Sequence, residues 1–420
     1  MEILSTGEKV KRARIYKGYT LKELCNSKIS ISKMSCIEND KIKPENWILK
    51  FLSDKLEISF EYLKLDIENQ IVKNIDDIEK KQDKINYEKN LKYNFKFAER
   101  YCYDNICFRI IHLLFNHYLE KNELEKLHNI SVKYYEYLQK NFSKRKAVLY
   151  YIDIGKYFFK TKQFLQAINY YDNVLDIMAE TVNNELLAKI TYNKMLCFIA
   201  LNDYERAYEL SDIMIKLINL MDGDIKKAKI YHVLAILSLK NDTEKFKVYE
   251  KKANELYKDN LKDKSTSMVE YAAVMFTLNM SEKAIFYINE ALNIYPKEYE
   301  EEFANFVIEI VDILIKNQIW DRVESICDIG LDCSIKLNNI ILIERAYYYK
   351  ALIFIKKGQL AEGEIYMNLS LDALVKFQPN TCICKRYIEI GYIYYDMKKV
   401  PEALKYFNLA IDLKQKYNFL

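Results

Sequence analysis

Small or apolar residues recur through much of the chain at a nearly fixed interval. Ala167, Ala207, Phe246, Ala284, Val323, Gly363 and Ala403 follow one another at steps of 38 to 40 residues. Self-similarity at a period of ~20–50 residues means that each unit is one supersecondary element stacked on its neighbours. A small side chain at a fixed place in each unit lets two packed elements approach closely. The elements read as helices. With 8 Gly and 4 Pro in 420 residues, the sequence lacks the turn residues that a β or α/β fold of this size needs. Half of it is apolar and 30% charged, which suits amphipathic helices with one buried stripe and one wet face. The expected fold class is all-α.

The offsets within each unit are informative. Gly391, Tyr394, Ala403, Phe407 and Ala410 are matched by Gly155, Phe158, Ala167, Tyr171 and Val174, and again by Ala272, Met275, Ala284, Ile288 and Ala291. This alternation of small and aromatic residues resembles the tetratricopeptide (TPR) repeat. The period exceeds the ~34 residues of a standard repeat, so each helix is expected to be about a turn longer. HEAT-like repeats share the length but not the offsets. Seven copies, with a weaker helical pair near 99–140, define a TPR-like domain over 99–420, expected to wind as a right-handed superhelix with a concave groove.

Residues 1–65 differ in charge. They hold 13 basic and 9 acidic side chains, whereas the rest of the chain holds 51 of each. All of the net charge of +4 therefore sits in this small segment, the footprint of a domain that touches nucleic acid. The segment reads as five short helices. Gly7–Tyr16 forms the first, ending at Gly18. Thr20 caps the second, with Glu23 completing a capping box. Ser30 or Ser32 caps a third running to about Asn39. Pro44 opens a fourth carrying Trp47, Ile48, Phe51 and Leu52 on one face, and Leu56, Ile58, Phe60 and Leu63 close the core.

The string Gly18-Tyr19-Thr20-Leu21-Lys22-Glu23-Leu24, followed by Met34-Ser35-Cys36-Ile37-Glu38-Asn39 and Pro44, resembles the phage-repressor-type helix-turn-helix family. That resemblance implies a third helix in the major groove. Ile31, Ser32, Lys33, Ser35 and Cys36 would face bases. Thr20, Lys33, Asn39, Lys41 and Lys43 would meet the backbone. Arg14 and Glu38 occupy the places of a partly buried ion pair tying helix 1 to helix 3. The sequence departs from the family at Leu21, where Gln is common, and at Cys36, where Arg is common. Few side chains remain for bidentate base recognition. The alternative is a helix-turn-helix kept as a dimer or protein contact, and the basic balance of the segment argues against it.

Residues 66–98 read as one charged linker helix, with Ile71, Ile78 and Ile85 at seven-residue spacing beside Ile67 and Ile75. Such a stripe pairs with another helix. It could contact a second copy or pack on the chain's own next domain. A homodimer contact is favoured, because helix-turn-helix proteins commonly read two half-sites.

The combination of parts resembles the peptide-responsive regulators of Gram-positive bacteria, the Rap, Rgg, NprR, PlcR and PrgX group. The compact spacing from Ser27 to Glu38 is similar to the PlcR and NprR branch. The resemblance implies a cytoplasmic transcription regulator of quorum-sensing type, acting on double-stranded DNA at a pseudo-palindromic operator and controlled by a short signalling peptide in the TPR groove. The alternative it implies is a TPR module that sequesters a response regulator, as in a sporulation phosphorelay, with or without DNA binding. Positions two and six residues before the Gly155 equivalent, and one after it, line the groove. They select Lys189, Asn193, His232, Glu270, Asn305, Glu309, Asp312, Arg345, Tyr349 and Glu389, with Asp153, Lys156 and Tyr392 at the same offsets. Tyr192-Asn193 is similar to a pair whose Asn grips the peptide backbone in the family, since an amide donates to C=O and accepts from N–H at once. The set is acid-biased and points to a peptide bearing a cationic group.

Other chemistry is not expected. Cys102, Cys107, His112 and His117 are spaced five apart, which sprays them around a helix instead of converging them on a metal. Nine scattered cysteines and the absence of an apolar h-region in the first residues suit a reduced compartment. The apolar run Ile110–Phe115 is far shorter than the ~20 residues of a membrane span. No phosphate loop or nucleophile elbow is visible, so neither an enzyme nor a cofactor is expected.

Overall fold

In a computed structural model, residues 2–81, 86–178, 183–240, 242–298, 300–377 and 380–417 are described. Every regular element among them is helical, and the chain divides into two compact units, Met1–Ala207 and Tyr208–Leu420.

The first unit opens with α1 (Thr6–Tyr16), α2 (Leu21–Cys25), α3 (Ile31–Glu38), α4 (Asn46–Leu56) and α5 (Phe60–Lys64). Local chemistry sets these limits. Ser5 and Glu8 form a capping box at the start of α1, and Thr20 and Glu23 form one at the start of α2, each satisfying free N–H groups of a first turn. Ser30, not Ser32, caps α3, its Oγ accepting from the Lys33 N–H at 3.1 Å. Val10, Leu24, Met34, Ile37, Ile48, Leu52 and Leu63 form a fully buried core. Trp47 is not part of it. Its ring is half exposed, and its Nε1 donates to Glu45 Oε2 at 2.6 Å, so the buried face of α4 is Ile48, Leu49, Leu52 and Leu56.

Where one linker helix was expected over 66–98, there are two, α6 (Ile67–Lys81) and α7 (Tyr87–Arg100). Ile71 and Ile75 are completely buried in one cluster with Leu91 and Ala98 of α7 and with α8 (Asp104–Lys121), and Ile67 and Ile78 pack against it. The apolar stripe favoured for a second copy is thus consumed inside the chain; Ile85 lies outside the described residues. A buried Asn74 to Asn94 hydrogen bond of 3.1 Å joins α6 to α7. Gln70 of α6 bonds both the N–H and the C=O of Leu4, at 3.2 and 2.8 Å, and Ile3 is buried in the α6–α8 cluster. Residues 3–4 therefore clip the N-terminal helices to α6.

Helical hairpins follow. α9 (Leu124–Lys140), α10 (Lys144–Lys160), α11 (Phe164–Met178) and α12 (Asn184–Ala200) belong to the first unit, and α13 (Tyr204–Glu209) spans the division. The second unit contains α14 (Ser211–Leu217), α15 (Asp224–Ser238), α16 (Thr243–Tyr257), α17 (Leu261–Thr277), α18 (Ser281–Ile294), α19 (Glu300–Lys316) and α20 (Val323–Lys336). It ends with α21 (Ile340–Lys356), α22 (Leu360–Leu374), α23 (Asn380–Asp396) and α24 (Val400–Tyr417). All seven recurring positions, Ala167 to Ala403, are buried. The close approach they imply is sharpest at two glycines. A Cβ on Gly155 would lie 2.5 Å from Tyr171 Cε1, and one on Gly391 would lie 2.5 Å from Phe407 Cε1. In both copies the first helix lies against an aromatic ring of the second with no room for a side-chain carbon between them.

The hairpin turns also repeat. Asn122, Lys162, Asn202, Asn279, Gln318, Gly358 and Lys398 have φ between 50° and 77°, and each follows a first helix. The next N–H reaches back five residues, as in Gln163 to the Phe158 carbonyl and Lys399 to the Tyr394 carbonyl, at 2.8 and 2.9 Å. This is the Schellman motif, which satisfies carbonyls orphaned at a helix end.

Candidate functional site

On α3, Met34, Ile37 and Glu38 face inward, while Ile31, Ser32 and Asn39 are exposed and Lys33, Ser35 and Cys36 are half-buried. Residues 31, 35 and 39 share one face by helical spacing, with 32 and 36 beside them. The helix is fixed from behind. Arg14 Nε and Nη2 donate to the two Glu38 oxygens at 2.7 and 3.0 Å, and Arg14 Nη1 donates to the Tyr19 carbonyl at 2.8 Å. The side chains are 15% and 4% exposed, a forked pair in a largely dry setting. Lys41 and Lys43 are exposed just beyond α3. Thr20 is engaged in its capping box, and the Asn39 amide donates to the Ser35 carbonyl at 2.8 Å. Lys33 does not stand free: its Nζ is 2.9 Å from Glu45 Oε1 and lies over the Trp47 ring. Hydrogen bonds from Lys33 and Trp47 hold the Glu45 carboxyl below its ordinary pKa.

The inner helices of the first unit form a cavity of about 400 Å³, lined by Asn116 and Glu120 of α8, Lys156 and Lys160 of α10, and Asn193 of α12. Asn193 is half-buried, and its amide has no hydrogen-bond partner among the described residues. Lys189 is exposed and pairs with Glu185 at 2.5 Å on its own helix, away from this lining. Asp153 is a hub of the wall instead of a free ligand group. It is 2% exposed, accepts from Tyr134 Oη at 2.9 Å and Asn116 Nδ2 at 3.1 Å, and lies 2.6 Å from His112 Nδ1. Burial and this carboxylate push the Tyr134 phenol far above its ordinary pKa.

In the second unit, acidic groups gather on α17 and α19, with Arg345 and Tyr349 of α21 beside them. Glu309 is exposed, yet its pKa is raised, first by the low-dielectric surroundings and then by Glu270 and Asp312, with Arg345 opposing. The Tyr349 Oη donates to Asp312 Oδ1 at 2.9 Å, and burial pushes its pKa up to about 12. His232 is nearly buried, 2.6 Å from Glu270 Oε2, with its ring 4.7 Å from that of Tyr271. Asn305 turns back to the Glu301 carbonyl at 2.9 Å. Glu389 is committed to Arg386 Nε at 3.0 Å and to the Tyr348 Oη at 3.2 Å. Tyr392 lines a separate apolar cavity on the last hairpin.

Asn116, Glu120 and Lys160 escaped sequence reasoning. One 40-residue step back from Gly155 falls on Phe115, so the offset that selects Lys156 also selects Asn116 on α8. Applying the period to the weaker N-terminal pair would have found it.

No protein-family profile and no curated protein matches the chain. Among solved structures it is similar to the apo form of the quorum sensor NprR from B. thuringiensis, at 15% identity over 83% of this chain and 99% of that one, with a TM-score of 0.46. It is similar to a Rap protein complexed with competence and sporulation factor, at 13% identity over 83% and 96%, with a TM-score of 0.48. It is also similar to Bacillus thuringiensis PlcR in complex with the peptide PapR7 and DNA, at 16% identity over 60% and 94%, with a TM-score of 0.33. These are likenesses of backbone course alone. No helix among the described residues is long and apolar enough to cross a membrane.

Proposed function

We propose that the chain is a transcription regulator acting by binding and not by catalysis: its N-terminal helices bind double-stranded DNA, and a short peptide on the inner face of the repeats sets that affinity. The observation that carries the reading is the α3 face. It is presented to solvent, fixed from behind by the Arg14–Glu38 fork, and lies in the segment that holds all the net positive charge. Lys41 and Lys43 supply phosphate contacts, and Ile31, Ser32, Ser35 and Cys36 meet base edges. Lys33 reaches DNA by exchanging Glu45 for a phosphate or a base acceptor.

For the peptide, the Asn193 amide suits a backbone and Lys156 and Lys160 a carboxylate. The Gln70–Leu4 clip supports a route from the repeats to the DNA-binding helices, because α6 packs on α8 while it holds residues 3–4.

The test is selection of genomic DNA fragments by the full chain, with and without a library of short synthetic peptides. The expected result is enrichment of a small set of fragments that changes with peptide, and an Asn193→Ala chain that binds the same fragments but ignores the peptide. Absence of enrichment in both arms would overturn the reading.

A further inference from the structure

A second cavity, of about 530 Å³, lies where the repeats meet α6. It is lined by Glu79 of α6, Tyr87 of α7, and His112, Asn116, His117 and Glu120 of α8. Glu79 and His112 are committed, to Arg109 and to Asp153, while His117, Asn116 and Glu120 each offer an acceptor. The His117 Nε2 is buried and has no hydrogen-bond partner. Burial and then Lys121 hold the His117 pKa below its ordinary value, so at neutral pH the ring is uncharged and one nitrogen accepts. Asn116 spends its Nδ2 on the His112 carbonyl and Asp153, at 3.0 and 3.1 Å, which leaves Oδ1 available. Glu120 is exposed and has no ion pair among the described residues. The Tyr87 ring lies 4.9 Å from that of His117 and adds an aromatic wall, which attracts cations.

We propose that this cavity binds a primary ammonium group, the amino terminus or a lysine side chain of a peptide ligand, with Glu120, His117 Nε2 and Asn116 Oδ1 as acceptors. An ammonium carries three N–H donors and no acceptor, which matches a set of three acceptors. A guanidinium matches less well, because Glu79, the second carboxylate of the lining, is already taken by Arg109. Among the described residues no group of three or more His, Cys, Asp or Glu is placed to hold a metal ion.

The site deepens the peptide reading and rests on it for its biological ligand. It shares Asn116 and Glu120 with the cavity that contains Asn193, so one extended chain crosses both. Its ammonium end points to α6 and its carboxylate-bearing part to Lys156 and Lys160. Glu79 of α6, paired with Arg109 of α8, lines the same cavity, so a cation held at Glu120 binds next to the contact that fastens α6 to the repeats.

The experiment uses the full chain with its histidines isotopically labelled and four small probes at neutral pH. The sequence has 4 His, and His112 and His117 line the cavity while His128 and His232 do not. Glycinamide offers an α-ammonium and Nα-acetyl-lysinamide an ε-ammonium. Acetylglycinamide has no charge, and tetramethylammonium has charge without N–H donors. The expected result is a saturable shift of the His117 and His112 signals with at least one ammonium probe, none at His128 or His232, and binding about tenfold weaker in Glu120→Gln, as loss of a charge-assisted hydrogen bond implies. The stronger ammonium probe identifies the source. Equal shifts with tetramethylammonium, binding indifferent to Glu120→Gln, or no saturable shift would each overturn the site. Since no probe is a peptide, failure here is separate from failure of the peptide reading, which the Asn193→Ala selection decides.

Discussion

The five N-terminal helices and the repeats stabilise themselves in different ways. Near the N-terminus the contacts follow no period: capping boxes at Ser5 and Thr20, a single fork between Arg14 and Glu38, and a buried Lys9 whose Nζ donates to the Tyr62 carbonyl at 2.8 Å. In the repeats one device recurs, a left-handed residue ending the first helix and a small residue admitting the second. A surface held by unique contacts is exact but has no spare. A surface built from repeats spreads its stability over nearest neighbours, and its inner positions are free to vary in charge from copy to copy.

The sharpest way to break this comparison is Glu38→Ala. Leaving Arg14 buried and unpaired costs about 3–5 kcal/mol. Amide exchange in α1–α3 is expected to rise steeply while that of α15–α24 stays unchanged; equal acceleration in the repeats would erase the distinction. Lys9 gives a pH-dependent form of the same test. Burial lowers its pKa to about 8 from 10.5. Below pH 8 both the folded and unfolded chains carry the proton, so the burial penalty is constant. Between those values the unfolded chain binds a proton that folded Lys9 has lost, so stability rises with pH, by at most about 1.4 kcal/mol per pH unit. Urea unfolding followed in the N-terminal helices is expected to show this rise, and Lys9→Met is expected to flatten it.

Smaller effects probe the repeats. Gly155→Ala gains up to ~1 kcal/mol of helix propensity but drives a methyl into Tyr171, and overpacking costs about 1–3 kcal/mol. A net loss confined to α10 and α11 is expected by amide exchange; a gain would mean that the ring is free to move. Lys162→Gly removes a left-handed non-glycine residue and is expected to stabilise the turn by roughly 1 kcal/mol or less, raising the melting temperature slightly. Destabilisation there would show that the Lys162 side chain does something the turn does not require.

These residues also explain what was legible beforehand. The hairpins were visible because packing demands a small residue at one place, and that demand leaves a 38 to 40 residue trace. The turns were not, because Asn, Lys and Gln adopt the left-handed conformation at six of the seven hairpin ends described above and glycine only at Gly358. The division into α6 and α7 was hidden because residues 66–98 contain no Gly or Pro, and the packing of Leu91, Asn94 and Ala98 decides it instead. Trp47 looked like core because apolar pattern alone cannot tell a buried ring from one laid over Lys33. At the candidate site, Asn193 was legible from its offset. The ammonium cavity was not, since its lining comes from three helices and its main wall, α8, which carries all three acceptors, was the copy with the weakest signature.

The most direct test of the central claim is the salt dependence of DNA binding by the full chain, measured on its best-enriched fragment, against a chain carrying Lys41→Ala and Lys43→Ala. Each lost phosphate contact is expected to reduce the slope of log K against log salt by about 0.9. The account predicts weaker binding with a shallower slope and an unchanged fragment preference. An unchanged slope, with affinity intact, would contradict it and show that the α3 face does not meet DNA.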